Sequence, residues 1–471
     1  MKYFAVAAGI AALIVMLLLV RSLAHRTPAE PVEVSGEGDL TSQKAATAGE
    51  LGRLDDEIQR LVERLFARDG SSEFERLEAI GEPAVPALIG ALEDPRTAAV
   101  KFDIQGFVRG GESAFERINE LLEPFGPAEA VRPLEKYMQH QDDYFRKYAA
   151  VALGNIGTAE CIAPMLVALD DAEESVRSFA MMGIQRGIEA ERCSVEFLDA
   201  MFPALTKLLN RDDDDSFGSA PQLLLKINTD RALPVLLSQE YFTTENRKLR
   251  YIIKALNVAG HRIPHEQLLP LLRSEQLLID EYPRYYNYAE ALIAYAHNPD
   301  AAAEDTLRAE LRSTNTWVQE AAAEGLAILS GISNAREVVF EAVKSEGFEK
   351  LSVPRKHYFA VLMYDAEVNN GGHSQYFVNP TGENWKEAIA GLKAIGAENR
   401  AAILLDATAV FGPAGPAVDT EARRKQLRAF TKQQEDFTSA LDGRYYNCEG
   451  NIESLLSQYA INNREHFGGT R

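Results

Sequence analysis

The sequence predicts an all-α protein made mainly of stacked helix pairs, with an N-terminal transmembrane helix and a small all-helical C-terminal domain. Three observations predict this class. Beyond residue 51, apolar residues recur at helical spacing, as in Leu54, Ile58, Leu61 and Leu65. Segments of the middle region repeat at a fixed interval, which is typical of repeat architectures. The first 20 residues contain one long apolar run.

Length, composition and charge limit the number of structural units and the functions that the sequence allows. A chain of 471 residues exceeds the roughly 250 to 300 residues of a single hydrophobic core, so several structural units are expected. The hydrophobic share of 46% is that of a folded protein. The net charge of -21 would repel a phosphate backbone, so no direct nucleic-acid binding is expected. The only cysteines, Cys161, Cys193 and Cys448, form neither a disulfide framework nor a metal-binding pattern.

The N-terminal run spans residues 3–20 and carries no charge. As a helix it would rise about 27 Å, close to the roughly 30 Å of a hydrocarbon core, which favours a single-pass membrane anchor. A cleaved signal peptide is the alternative, because Ser22 and Ala24 fit a cleavage site, and cleavage would make the protein secreted or periplasmic. Basic residues flank both ends, so the side of the membrane stays open. Residues 21–50 lack periodicity and predict a flexible linker.

Residues 51–333 predict helical repeats. The segment YFRKYAAVALGNIG from Tyr144 is echoed by SVRSFAMMGIQ from Ser175, and Arg146 aligns with Arg177 at an offset of 31 residues. A proline and an apolar helix follow such segments, as at Pro164. This pattern resembles the HEAT-like (PBS-lyase-type) repeat family. The resemblance implies an α-solenoid, in which stacked helix pairs share one core and present an extended surface to protein ligands.

Two groups of charged residues in the repeats are candidates for partner binding. Arg146 and Arg177 could contact a partner, but pairing with the acidic turns at 142–143 and 170–171 is the favoured interpretation. The run Asp212, Asp213, Asp214 and Asp215 suggests calcium, yet it fails the EF-hand template because Leu224 stands where a glutamate is required. A solvated acidic turn is the favoured interpretation.

Residues 334–471 differ in character. An apolar helical stripe is expected to end at an Asn-Asn-Gly-Gly turn, and a further turn precedes a helix over 385–395. The motif consists of Glu367, Val368, Asn369, Asn370, Gly371, Gly372, His373, Gln375, Tyr376, Phe377 and Asn379.

This motif resembles the C-terminal domain of DNA-mimic proteins, formerly a domain of unknown function, except that His373 stands where that family has Phe. The resemblance implies a helical domain and, by analogy, an acidic protein that occupies a DNA-binding surface. Residues 335–471 contain 16 Lys and Arg against 18 Asp and Glu, so this segment is nearly neutral. We therefore expect the fold rather than the mimicry, with structural roles for the motif's Asn, Gly and His residues.

Catalytic motifs are missing from the sequence: it has no phosphate-binding loop, nucleophile elbow, zinc-protease helix or dinucleotide fingerprint. His261 and His265 do not form a helical metal pair, because Pro264 lies between them. No catalytic, cofactor-binding or metal-binding residues are predicted. The sequence favours a membrane-tethered, non-enzymatic protein-binding scaffold with a basic partner. The alternatives are a regulatory DNA mimic and an enzyme of unrecognised type near His373, Tyr376 and Asn379.

Overall fold

The computed structural model describes residues 48–67, 70–99, 102, 113–211, 216–243, 245–273, 283–332 and 334–468. These residues are mostly helical and contain no β-strand, which confirms the all-α class. The sequence predicts a flexible linker over residues 21–50, but in the structure residues 48–50 already belong to a helix. The apolar run 3–20, residues 21–47 and the acidic run 212–215 lie outside the described residues.

The predicted membrane anchor requires a correction. Among the residues that the structure describes, no helix combines the length and the apolar character needed to cross a bilayer. This finding contradicts the prediction of a protein localised to the membrane by a single-pass helix. That prediction relied on the apolar run alone, and hydropathy without an observed helix does not establish a span.

The chain divides into two compact units between His261 and Arg262. The N-terminal unit contains first helices and second helices of the repeats. The first helices Asp143–Ile156 and Glu174–Glu189 pack on each other, and the second helix Ile162–Leu169 packs on both. Its helices are α1 (Ala48–Arg64), α2 (Ser71–Ile80), α3 (Val85–Leu92), α4 (Pro95–Ala99), α5 (Ala114–Leu122), α6 (Val131–Tyr137), α7 (Asp143–Ile156), α8 (Ile162–Leu169), α9 (Glu174–Glu189), α10 (Val195–Leu209), α11 (Ala220–Ile227), α12 (Thr229–Leu236) and α13 (Leu249–Val258).

Two glycines, Gly154 and Gly183, bring the first helices α7 and α9 close together. A Cβ atom added at Gly154 would lie 2.7 Å from the backbone carbon of Gly183, and one added at Gly183 would lie 2.4 Å from the Val151 carbonyl oxygen. Only glycine fits two backbones at this separation. Gly157 then ends α7 with a left-handed conformation (φ 64°). The two glycines therefore set the close spacing between these first helices.

The C-terminal unit contains the remaining helices: α14 (His265–Leu272), α15 (Arg284–His297), α16 (Ala303–Glu310), α17 (Thr316–Leu329), α18 (Ala335–Glu346), α19 (Val353–Val378), α20 (Trp385–Ala394), α21 (Glu398–Ala409), α22 (Thr420–Arg428), α23 (Lys432–Tyr446) and α24 (Ile452–Asn462). Helices α15 and α17 pack side by side, and α24 packs on α17. The sequence predicts that residues 51–333 form the repeats. In the structure, helices α14 to α17 of that range belong to the same compact unit as the C-terminal domain.

Helix α19 is the centre of the C-terminal domain. Helices α20, α22, α23 and α24 all pack against it. Its apolar stripe contributes Tyr358, Val361, Tyr364 and Val368 to one core with α21 and α24. Burying large aromatic and β-branched side chains on one central helix explains why this domain forms around α19.

Candidate protein-interaction surface

The two repeat arginines lie in the first turns of α7 and α9 and contact the turns between helices. Arg146 donates from Nε and Nη2 to the two carboxylate oxygens of Asp171 at 2.8 and 3.0 Å, and from Nη1 to the His140 carbonyl at 2.9 Å. Arg177 is 3% exposed and donates to the Asp171 and Ala172 carbonyls at 2.5 and 2.9 Å. Both guanidinium groups therefore join a first helix to an inter-helix turn. The other candidates in the repeats, Asp212 to Asp215, lie outside the described residues.

Burial alone would raise the pKa of the Asp171 carboxyl. Hydrogen bonds from Arg146 and from the Glu173 amide outweigh the effect of burial, and the pKa of Asp171 is lowered. This carboxylate consequently stays charged and keeps the two turns together.

The Asn-Asn-Gly-Gly segment is an interruption within α19. Gly371 (φ -162°, ψ 25°) and Gly372 (φ 75°, ψ -176°) leave the helical conformation, and the chain then resumes a helix up to Val378. At Gly372 an added Cβ would lie 2.3 Å from Oδ2 of Asp442. Positive φ and this close approach both require glycine. Asn369 and Asn370 are exposed beside the interruption.

Glu367 connects the two sides of this interruption. Its side chain is buried (3% exposed) and accepts hydrogen bonds from Gln375 Nε2 at 2.9 Å and Asn379 Nδ2 at 2.8 Å on one oxygen. Thr381 Oγ1 donates to the other oxygen at 3.2 Å. The structure therefore brings together three residues of the sequence motif, Glu367, Gln375 and Asn379, in one network. A buried carboxylate with three donors is satisfied internally.

His373 lies in a second buried network. Its side chain is fully buried, with Nε2 2.8 Å from the Tyr364 hydroxyl and Nδ1 2.6 Å from Oδ1 of Asp442, and its backbone amide donates to the same oxygen at 2.8 Å. Tyr364 is buried as completely as His373. A Tyr-His-Asp row resembles an acid–base relay, but neither the hydroxyl nor the imidazole reaches the surface. In this structure the row connects α19 to α23, and only its Asp442 side chain is partly exposed (22%).

Arg423 is a buried residue that sequence reasoning missed. Its guanidinium is fully buried and donates to the backbone carbonyls of Phe377, Asn379, Ala417 and Val418 at 2.7 to 2.8 Å. Burial lowers the pKa of this side chain. Since the chain leaves α19 at Val378, Arg423 fixes that end of the motif to the segment before α22. No sequence signal marks it, because its partners are carbonyl groups 5 to 46 residues away.

A different surface lies on the first helices of the N-terminal unit. We define the first-helix face as the stripe formed by Tyr144, Lys147, Tyr148 and Asn155 of α7, Phe179, Arg186 and Glu189 of α9, Lys226 of α11, Glu116 and Glu120 of α5, and Glu123 directly after α5. These positions follow helical spacing, as in 144, 148 and 155 or 179, 186 and 189. Many of them are half-buried, so the stripe is a packed surface with limited mobility.

Aromatic rings form one end of the first-helix face. The ring of Tyr148 packs edge-on against Tyr144 (centroids 5.0 Å apart) and Phe179 (5.6 Å apart). The hydroxyls of Tyr144 and Tyr148 donate to the two oxygens of Glu116 at 2.6 and 2.7 Å. Burial, followed by the hydrogen bond to Glu116, raises the pKa of Tyr144, so this hydroxyl stays protonated.

A groove of about 490 Å³ occupies the other end of the face, at the C-terminal ends of α7 and α9. It is lined by Glu120, Glu123, Pro124, Asn155, Arg186, Glu189, Ala190 and Arg192. Arg186 pairs with Glu123 at 2.7 Å, and Lys226 pairs with Glu189 at 2.9 Å. These exposed pairs contribute little stability, and their charges are accessible to a ligand.

Charge is distributed unevenly along the chain. Residues 48–261 contain 24 Lys and Arg against 37 Asp and Glu, a formal charge of -13, whereas residues 335–471 carry only -2. The acidic N-terminal unit therefore offers a negative potential to a macromolecular ligand.

Within the described residues, no group of three or more His, Cys, Asp or Glu side chains is arranged to hold a metal ion.

Comparison with known proteins supports the two resemblances that the sequence predicts. Residues 145–171 match the PBS lyase HEAT-like repeat, and residues 349–463 match the DMP19-like protein model. Both predictions of resemblance are confirmed, and both families are of non-catalytic kinds. No curated protein matches the chain. The two matches together cover less than half of the chain, and the first-helix face lies partly within the repeat match.

The aromatic end of the first-helix face is the second feature that sequence reasoning missed. The 31-residue offset that aligns Arg146 with Arg177 also aligns Tyr148 with Phe179. Equivalent positions on adjacent repeats lie side by side, so the offset contained the signal. Two aromatic residues at the same outward position were sufficient to predict a ring pair on the surface.

Proposed function

We propose that this protein is a non-enzymatic binding scaffold that takes up a protein partner on the first-helix face of its N-terminal unit. The observation that carries this proposal is the continuity of an aromatic cluster and a charged groove along α7 and α9. Aromatic and arginine side chains in packed surroundings are the usual centres of protein interfaces. The HEAT-like repeat of residues 145–171 supports a scaffold, because stacked repeats bind ligands along extended surfaces.

The partner's contact surface is basic in this proposal. Residues 48–261 have a formal charge of -13, and complementary charge speeds association and disfavours acidic competitors. Exposed carboxylates on the face, such as Glu189 with a side chain 54% exposed, would contact the partner's lysine and arginine residues.

Affinity capture with paired variants tests the proposal. The full chain is immobilised, and proteins that it retains from an extract of its source cells are quantified for wild type, Phe179→Asp and Val167→Asp. Val167 lies on the second helix α8 and is 46% exposed, so it controls for a charge added elsewhere. We expect a basic protein that Phe179→Asp loses and Val167→Asp retains. Equal retention by the two variants, or retention of none by wild type, would contradict the proposal.

A DNA mimic is the second candidate, and the match of residues 349–463 to the DMP19-like protein model favours it. The charge of -2 over residues 335–471 argues against phosphate mimicry by this domain as a whole. Helix α22 also exposes Lys425 and Arg428, which would repel a basic groove.

Competition with DNA separates the two candidates. A protein retained by the chain is challenged with duplex DNA at increasing concentration. A mimic occupies the partner's DNA-binding surface, so DNA would displace the chain, and Phe179→Asp would leave retention unchanged. A scaffold that uses the first-helix face gives retention that is sensitive to Phe179→Asp.

A further inference from the structure

Lys147 occupies an aromatic cage of the protein's own making. Its ammonium nitrogen lies 5.1 Å from the ring centroid of Tyr144, 5.2 Å from that of Tyr148 and 5.2 Å from that of Phe179. Three rings around one ammonium group are the arrangement by which proteins recognise alkylammonium ligands. The rings belong to two adjacent repeats, so the cage exists only when α7 and α9 are packed together.

The surroundings of the cage favour a cation. Glu116 accepts hydrogen bonds from both tyrosine hydroxyls, which fixes the two rings and places a carboxylate behind them. Among the described residues, the contacts of the Lys147 ammonium are with these rings, and it forms no hydrogen bond or ion pair there. Its side chain is therefore stabilised by cation–π attraction in an acidic unit rather than by a fixed carboxylate partner.

From this geometry we infer that Tyr144, Tyr148 and Phe179 form the recognition site for a lysine side chain of the partner, and that Lys147 occupies the site when the partner is absent. This inference rests on the proposed function, since it places the partner's side chain on the first-helix face. Lys147 is attached by a flexible four-carbon stem, so its ammonium can leave the cage for water at small cost. The internal lysine then lowers the affinity for every ligand that needs the cage, and only a partner with additional contacts displaces it.

Two substitutions of Lys147 distinguish a filled cage from a mere change of charge. Lys147→Ala empties the cage and removes one positive charge. Lys147→Met removes the same charge, but its unbranched thioether continues to fill the space between the rings. An effect of charge alone is equal in the two variants, whereas competition for the cage affects only the alanine variant.

The experiment measures binding of a fluorescein-labelled peptide, Gly-Gly-Ser-Lys-Ser-Gly-Gly, to the full-length chain by fluorescence anisotropy. A norleucine peptide is the neutral control, and a trimethyl-lysine peptide is the stronger ligand for a cage. We expect Lys147→Ala to bind the lysine peptide about tenfold more tightly than wild type and Lys147→Met, since a tenfold change is about 1.4 kcal/mol. In the alanine background, Tyr148→Leu and Phe179→Leu should each abolish this gain, and the norleucine peptide should not show it.

Equal affinity of Lys147→Ala and Lys147→Met for the lysine peptide would overturn the inference. So would a gain that survives both Tyr148→Leu and Phe179→Leu. Neither result would affect the proposed function, which stands or falls on the loss of a captured partner by Phe179→Asp. If that loss occurs while the alanine and methionine variants behave alike, the face binds a partner without using the cage for lysine.

Discussion

The two units of this protein fix their turns in different ways. In the N-terminal unit, Arg146 and Asp171 form an ion pair with side chains 14% and 8% exposed. Arg177, the equivalent residue of the next repeat, donates to the backbone carbonyl of the same Asp171. In the C-terminal domain, Glu367 and Arg423 are almost fully buried and bond only to neutral groups. In the repeats, each contact can contribute little stability because neighbouring repeats contribute similar contacts. In the C-terminal domain, a buried polar network is stable only when all its polar groups have hydrogen-bond partners.

This difference predicts unequal sensitivity to mutation. The chain's two tryptophans, Trp317 and Trp385, both lie in the C-terminal unit, so tryptophan fluorescence follows the unfolding of that unit alone. Far-UV circular dichroism follows both units. Each variant below is measured by urea denaturation with both signals.

Glu367→Ala should have the largest effect. It leaves the donors of Gln375, Asn379 and Thr381 without their buried acceptor, which should lower the free energy of unfolding by about 3 kcal/mol. The loss should appear in the tryptophan transition. Glu341→Ala, at a side chain 67% exposed on α18, is the control and should change little. A loss below 1 kcal/mol for Glu367→Ala, at the scale of an ordinary surface change, would show that the network is dispensable.

Gly372→Ala should come next. The substitution forces a Cβ into a conformation with φ 75° and within 2.3 Å of the Asp442 carboxylate, so we expect a loss of about 2 kcal/mol in the tryptophan transition. Gly443→Ala is the matched control on α23, where an added Cβ meets nothing within 4 Å. It should be neutral or slightly stabilising, since alanine favours a helix. Similar effects at the two glycines would contradict the account of the interruption.

Arg146→Ala should lower the free energy of unfolding by a smaller amount, about 1 to 2 kcal/mol. Because Arg146 lies in the N-terminal unit, the loss should appear in circular dichroism and leave the tryptophan transition unchanged. Because Arg146 lowers the pKa of Asp171, the pair stabilises the folded state above the ordinary carboxyl pKa and loses this effect as pH falls through the lowered value. The difference between wild type and variant should therefore shrink in acid. Lys207→Ala, which removes an exposed pair with Asp170, is the control and should change the free energy of unfolding little.

Asp365→Asn should change the free energy of unfolding least, and it should raise it where the other variants lower it. Burial raises the pKa of Asp365, which accepts a hydrogen bond from the Tyr445 hydroxyl. A raised carboxyl pKa means that stability is present at low pH and is lost as pH rises through that pKa. Asparagine keeps an acceptor without the charge, so at neutral pH it should stabilise the protein by up to about 1 kcal/mol. The gain should vanish in acid. A stabilisation that is the same at both pH values would contradict a raised pKa.

Local features of the fold could be predicted from the sequence, whereas long-range ones could not. The alignment of Arg146 with Arg177 is visible in the sequence because one repeat resembles the next. Glu367, Gln375 and Asn379 lie within 12 residues, so their motif was recognisable. Asp442 and Arg423 join the same region from more than 40 residues away, and no periodicity marks them.

The division between the units could not be predicted for a related reason. Helix α17 fits the repeat pattern only loosely in the sequence, and pattern alone assigns α15 and α17 to the repeats. Their place is decided by packing, because α24 from the end of the chain lies against α17. The aromatic cage was also missed, although the offset that relates Tyr148 to Phe179 could have suggested a ring pair.

Site-specific photocrosslinking tests the central claim most directly. Benzoylphenylalanine replaces Phe179 on the first-helix face, Val167 on α8 or Phe437 on α23 of the DMP19-like domain, the latter two being 46% and 47% exposed. After irradiation in cells, crosslinked proteins are identified by mass spectrometry. The account predicts one basic partner crosslinked from position 179 and not from position 167. A partner crosslinked only from position 437, or equally from all three, would contradict binding on the first-helix face.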